Sequence, residues 1–147
     1  MGMNREEIER LIPHRPPFLW IDEVVEISPT NVHARKSLDP DLDVFAGHYP
    51  GFPVLPGVLV CEAALQAGAL LIATLEPNPD NRVPVVGRLK NVKFRRMVRP
   101  REMLDIYVEL TEKVSSAWFL RGRIEVGGQP TCSLEFACTL TAADGTA

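Results

Sequence analysis

Alternation of apolar and polar positions dominates the second half of the chain. In "MLDIYVEL", Leu104, Ile106, Val108 and Leu110 fall on one side, with Asp105, Tyr107 and Glu109 on the other. "WFLRGRIEV" repeats the pattern through Trp118, Leu120, Ile124 and Val126, and "CSLEFACTL" keeps Cys132, Leu134, Phe136, Cys138 and Leu140 in phase. A period of two marks strands with one buried face. Gly127-Gly128 has the length and composition of a hairpin turn between the last two strands. Val85 to Phe94 reads as a fourth strand whose phase slips near Lys90, as it does at a β-bulge.

The first half has a different texture. Asn4 to Leu11 predicts a short amphipathic helix, capped by Asn4 and stopped before Pro13. Leu19 to Ile27 and Val32 to Ser37 predict two strands joined by a turn at "SPTN". Then comes "PGVLVCEAALQAGALLIATL", an apolar run with no polar side. Pro56 suits the first helical position, and Pro77 sets the end near Leu75. The run has the length of a membrane span. Glu62 and Gln66 inside it, and the soluble strand pattern around it, favour a core helix instead. A helix apolar all round requires cover all round. The expected fold class is therefore α+β: one long central helix wrapped by a curved antiparallel sheet of five to seven strands, with the whole of residues 1–147 as one domain.

Composition adds limits rather than direction. With 147 residues and a net charge of −3, nothing global points to nucleic acid or to an anionic membrane surface. The charged segment up to Pro17 lacks the apolar core of a signal peptide. Cys61, Cys132 and Cys138 form no CxxC pair and no metal-type spacing with the three histidines, so they read as core thiols in a reducing, cytoplasmic setting. His14 and His33 show no nearby partner that suggests a metal site. P-loop, GxGxxG, HExxH and GxSxG motifs are absent, and no cofactor is implied.

The candidate chemistry lies in "GHYPGFPVLPGVLVCEAALQAG". Glu62 is the only formal charge between Val44 and Leu75. A desolvated carboxyl group is pushed towards its neutral form, the form a general acid needs. The competing reading is that one helix face simply meets water or a partner subunit. His48 sits between Gly47 and a Pro-Gly turn, a setting that can preorganise a base, although loop histidines are also commonplace. Gly57 and Val58 occupy the first helical turn, whose free amides and dipole suit a carbonyl oxygen. Gln66 lies one turn beyond Glu62 on the same face, either holding that carboxyl group or buried as a satisfied amide. Finally, "GRLKNVKFRRMVRPR" carries seven basic residues and no acidic one, either a stripe for an acidic partner or a solvated face.

The segments "LIPHRPPFLWIDEVVEI", "GHYPGFPVLPGVLVCEAALQAG" and "VKFRRMVRP" resemble, in that order, the β-hydroxyacyl-acyl carrier protein dehydratases of fatty acid synthesis. The resemblance covers Leu11 to Cys138. It implies the hotdog fold, a dimer with a continuous sheet that can assemble into a trimer of dimers, and an active site shared by His48 of one subunit and Glu62 of the other. It also implies that the Gly57 amide binds the thioester carbonyl and that Gln66 stands beside the catalytic glutamate. The chain departs from the family pattern at Tyr49 (usually Phe), at Phe52 (usually Asn), in the order of residues 63–65, and at Pro100-Arg101-Glu102 (usually Pro-Gly-Asp). Phe52 is expected to reshape the acyl tunnel.

The activity so implied is elimination of water from a (3R)-3-hydroxyacyl thioester, with His48 removing the C2 proton and Glu62 protonating the departing hydroxyl. The substrate arrives on acyl carrier protein or on coenzyme A. Arg95, Arg96 and Arg99 are the candidates for docking the acidic carrier. A hotdog thioesterase and a non-catalytic acyl-binding or assembly subunit are the rival readings. Glutamate at position 62 resembles the dehydratase-only relatives rather than those that also isomerise the product.

Overall fold

The computed structural model describes residues 2–76 and 82–142. Helix α1 (Arg5–Leu11) opens the chain. Asn4 accepts from the Glu7 amide, and the Glu7 side chain accepts from the Asn4 amide, a reciprocal cap on the first turn. Strands β1 (Glu23–Ile27) and β2 (Asn31–Ser37) follow, then a five-residue helix α2 (Asp43–Gly47) that the sequence pattern does not announce. Helix α3 (Gly57–Leu75) precedes four long strands: β3 (Arg82–Phe94), β4 (Met103–Val114), β5 (Ala117–Val126) and β6 (Gln129–Ala142). Pro56 is the N-cap of α3 rather than its first helical residue; its ring still fits there, since its missing N–H needs no acceptor.

All six strands form one sheet in the order β1-β2-β4-β5-β6-β3, antiparallel throughout. Gly127 and Gly128 take φ of 58° and 80°, the left-handed values that a tight β5–β6 hairpin requires. In β3 the register slips between Lys90 and Lys93, where Asn91 has φ 53°, so the phase slip in the sequence is a bulge. Arg101 adopts φ 73° at a position where the resemblance has glycine, a strained conformation for a residue with a Cβ. The predicted strand from Leu19 is shorter in fact. Leu19 to Ile21 are buried, but the Trp20 amide bonds to the Gln66 side chain instead of to a neighbouring strand, and pairing with β2 starts at Glu23.

The sheet curls around α3, which packs against β2 through β6. Gly68 lets helix and sheet close up: a Cβ there would lie 2.7 Å from the Phe136 ring. Eleven residues of α3 are buried, so its apolarity is that of a core helix. The cover is nevertheless incomplete. Val58 is 72 % exposed, and Glu62 and Leu65 are part-buried, at positions that share one helix face. The expectation of burial on every side fails along this stripe. Cys61, Cys132 and Cys138 are free, buried thiols, as core thiols should be, and burial alone pushes Cys138 up to about 12.

Candidate active site

The Pro/Gly-rich segment before α3 is ordered by its own backbone. Tyr49 to Phe52 form a turn closed by the Phe52 amide on the Tyr49 carbonyl, with Gly51 at φ 85°. His48 is clasped on three sides: its amide donates to the Val44 carbonyl at 3.1 Å, its carbonyl accepts from the Val54 amide at 3.0 Å, and its Nδ1 lies 2.9 Å from the Val54 carbonyl oxygen. A carbonyl oxygen only accepts, so Nδ1 carries the proton in the neutral ring and Nε2 carries the lone pair. Tyr49 stacks on the imidazole at 4.3 Å. These contacts fix the ring in tautomer and orientation.

His48 lines a cavity of about 690 Å3 together with Gly57 and Val58 at the start of α3, Phe94 at the end of β3, and Arg95 and Arg96 just beyond it. At its helix start, the Leu59 and Val60 amides reach the Pro56 carbonyl, whereas the Gly57 and Val58 amides have no acceptor among the described residues. They are the free donors expected of a first helical turn. A Cβ on Gly57 would lie 2.7 Å from the Phe94 ring, so only glycine fits beneath that ring as it stands.

Glu62 and Gln66 do not line this cavity. They form a second cluster with the segment that leaves α1. Gln66 is fully buried; its Oε1 accepts from the Trp20 amide at 2.8 Å, and its Nε2 donates to the Phe18 carbonyl at 2.9 Å and to Glu62 Oε2 at 3.0 Å. Both ends of the amide are thus committed, and Glu62 is held by a donor that cannot flip. The Glu62 side chain is 22 % exposed, open to the outside of this single chain. Phe52 and Arg99 stand apart from both clusters, half-exposed ring against guanidinium at 5.4 Å.

Two histidines that the sequence leaves without partners have acidic neighbours. His33 Nε2 lies 2.7 Å from Asp105, which also binds Arg35 at 2.8 Å. Burial of Asp105 opposes its ionisation, but the Arg35 and His33 hydrogen bonds outweigh it and hold the carboxyl group below its usual range. His14 Nε2 lies 3.8 Å from Glu62 Oε2. Only the folded chain reveals these pairs, because their members are 72 and 48 positions apart in sequence. Among the described residues no group of three or more His, Cys, Asp or Glu could hold a metal ion. Of the three arginines proposed for docking, Arg96 pairs with Glu102 and Arg99 covers Phe52, while the Arg95 side chain has no ion pair among the described residues.

A family model described as the FabA-like domain matches residues 12–135. The chain belongs to this family. It is 38 % identical over 142 residues to the 3-hydroxyacyl-(acyl-carrier-protein) dehydratase FabZ of Anaeromyxobacter sp. (strain Fw109-5), covering 94 % of this chain and 90 % of that protein. The FabZ protein of Levilactobacillus brevis is 36 % identical, with 97 % and 96 % covered. Among solved structures, the dehydratase heterocomplex ApeI:P from Xenorhabdus doucetiae matches with a TM-score of 0.79 at 18 % identity, over 93 % of this chain and 92 % of that one. A hypothetical thioesterase with coenzyme A from Streptococcus pneumoniae TIGR4 matches with 0.65 at 12 % identity, over 81 % and 84 %. At such identities these structures speak for the fold alone, and the fold is the α+β hotdog fold.

Within this FabA-like chain, Gln66 is the joint between helix, entry segment and carboxylate. Gln66→Leu removes three hydrogen bonds from a buried position and leaves the Trp20 amide and Phe18 carbonyl unpaired. The expected loss of stability is about 2–4 kcal/mol, read from chemical denaturation, whereas Gln66→Glu should keep the volume and lose the two donated bonds.

Proposed function

We propose that this chain dehydrates (3R)-3-hydroxyacyl thioesters, carried by acyl carrier protein, to trans-2-enoyl thioesters in fatty acid synthesis. The observation that carries the reading is the His48 clasp. An imidazole with Nδ1–H committed to a carbonyl presents Nε2 as a base, in a cavity that also offers the free Gly57 amide. His48 takes the C2 proton, made acidic by the thioester. The Gly57 N–H, with Val58 beside it, stabilises the enolate-like oxygen; such a donor is worth roughly 2.7–4 kcal/mol in a transition state. Glu62, oriented by Gln66, gives its proton to the departing hydroxyl. Nothing in this sequence of steps calls on a metal or a cofactor.

His48 lines the cavity and Glu62 does not, and this supports a site completed by a second copy. Strand β3 is an edge strand of thirteen residues, bonded only to β6, with Val85, Leu89, Val92 and Phe94 exposed. Long apolar edges are normally covered. Pairing β3 with its equivalent extends the sheet across a dimer, alone or within a trimer of dimers, and lets Glu62 of one subunit meet His48 of the other. The enzyme so assembled is a cytoplasmic one, consistent with its three unpaired thiols. Arg95, on the cavity rim, is the cation we assign to the acidic carrier.

Product analysis tests the reaction: an enoyl thioester forms, and free thiol, the product of a thioesterase, does not. His48→Ala and Glu62→Gln should each lower kcat about 100- to 10,000-fold; if a measurable turnover survives both changes intact, the catalytic reading fails, and a folded protein inactive on every acyl length favours the acyl-binding one. Arg95→Glu should weaken turnover of carrier-linked substrate by about 10-fold and leave the small pantetheine thioester unaffected, while equal effects on both remove the docking assignment.

A further inference from the structure

The segment between α1 and β1 brings to Glu62 a titratable side chain that the reaction above does not use. His14 Nε2 lies 3.8 Å from Glu62 Oε2. That is too long for a direct hydrogen bond, yet one oxygen atom can sit within hydrogen-bonding reach of both. The two side chains are open to a similar degree, 26 % for His14 and 22 % for Glu62, so neither is sealed from the outside. His14 is also held in place. The Arg15 guanidinium donates to the His14 carbonyl at 2.7 Å and to the Ile12 and Glu9 carbonyls at 2.8 Å, which pins the residue to the end of α1.

The ring's protonation follows from its surroundings. Burial lowers the pKa of His14; the Glu62 charge pulls the other way, Arg15 adds to the lowering, and the net direction is down. The uncharged ring has one N–H. Nδ1 is buried without a hydrogen-bond partner. A buried orphan donor is the rarer and costlier arrangement, which places the proton on Nε2, the nitrogen facing Glu62.

We propose that His14 is a further catalytic residue, whose Nε2–H donates a hydrogen bond to the hydroxyl oxygen leaving C3 while Glu62 supplies that oxygen with its proton. The proposal rests on the reading of Glu62 as the acid. In the step, the C2–H bond breaks and its proton goes to His48 Nε2. The electron pair left behind becomes the C2–C3 double bond. The C3–O bond breaks, its pair stays on oxygen, and oxygen takes the Glu62 proton and departs as water. His48 ends protonated, Glu62 ionised and His14 unchanged; proton return from His48 to Glu62 through water resets the site. His14 acts by spreading the negative charge that builds on the leaving oxygen.

The test compares two substrates: a 3-hydroxyacyl thioester and a 3-chloroacyl thioester, whose chloride leaves without a proton. His14→Ala and His14→Phe, with circular dichroism as the check on folding, should lower kcat on the hydroxy substrate about 100-fold, with KM within about 3-fold of wild type. On the chloro substrate the loss should shrink to under about 3-fold, because no leaving oxygen has to be stabilised. His14→Gln, which keeps an N–H donor, should recover part of the loss, and it carries the two-substrate comparison alone where the other variants do not fold. Equal losses on both substrates, or wild-type kcat on the hydroxy substrate, overturn the proposal and leave His14 a structural residue. Full turnover by Glu62→Gln overturns the underlying reading of the acid, and this one with it; a slow Glu62→Gln beside an unimpaired His14→Phe overturns this one only.

Discussion

The fold is governed by a helix that has no polar side to give to water. Nineteen residues of α3 include a single formal charge, Glu62. The hydrophobic effect therefore demands a wrapping that reaches nearly round the helix. A six-stranded sheet supplies it, assisted by the entry segment through Leu19, Trp20 and Ile21. What the wrapping leaves bare then decides where chemistry can occur. The uncovered stripe runs through Val58, Glu62 and Leu65, and the free amides of Gly57 and Val58 open at one end of it. A carboxylate cannot be placed deep in such a core without a partner. Glu62 lies instead at the margin of the cover, where the Gln66 amide holds it and the solvent side stays open.

The same constraint orders the sheet's two edges. At the β1 edge, Met3 bridges to Val24, so the chain covers part of its own border. At the β3 edge no described segment does so, and four large apolar side chains stand exposed along it. The cavity holding His48 includes Phe94, the last residue of that edge. On the proposed reading, incomplete cover of helix and sheet is one fact seen twice: a single chain leaves bare the surfaces that a second copy would seal into a dry channel.

Much of this was legible in the sequence for physical reasons. Strands β4 to β6 showed because each has one buried face, and period two survives in the residues. The β3 bulge showed as a slip of that period, and the Asn4 cap as a side chain suited to free amides. Helix α2 did not show, being five residues within a Pro/Gly-rich stretch. Nor did the late start of β1, since Leu19 to Ile21 carry strand-like residues whose backbone is bound by a side chain from α3. The reactive types His48 and Glu62 stood out by their isolation among apolar neighbours. Gln66 beside Glu62 was legible as helix spacing; His14 facing Glu62, and Phe18 and Trp20 binding Gln66, were not, because they arrive through tertiary structure. The expectation that His48 and Glu62 pair across subunits came from resemblance, not from periodicity.

The central claim is that base and acid belong to different subunits. Mixed dimers test it directly: chains carrying His48→Ala and chains carrying Glu62→Gln, each with its own tag, are co-expressed, and the heterodimer is isolated by both tags. If the site is shared, one of its two sites is intact, and the mixed dimer should turn over at about half the wild-type rate. Turnover no higher than that of either parent variant would contradict the account, because it would put both groups in one chain.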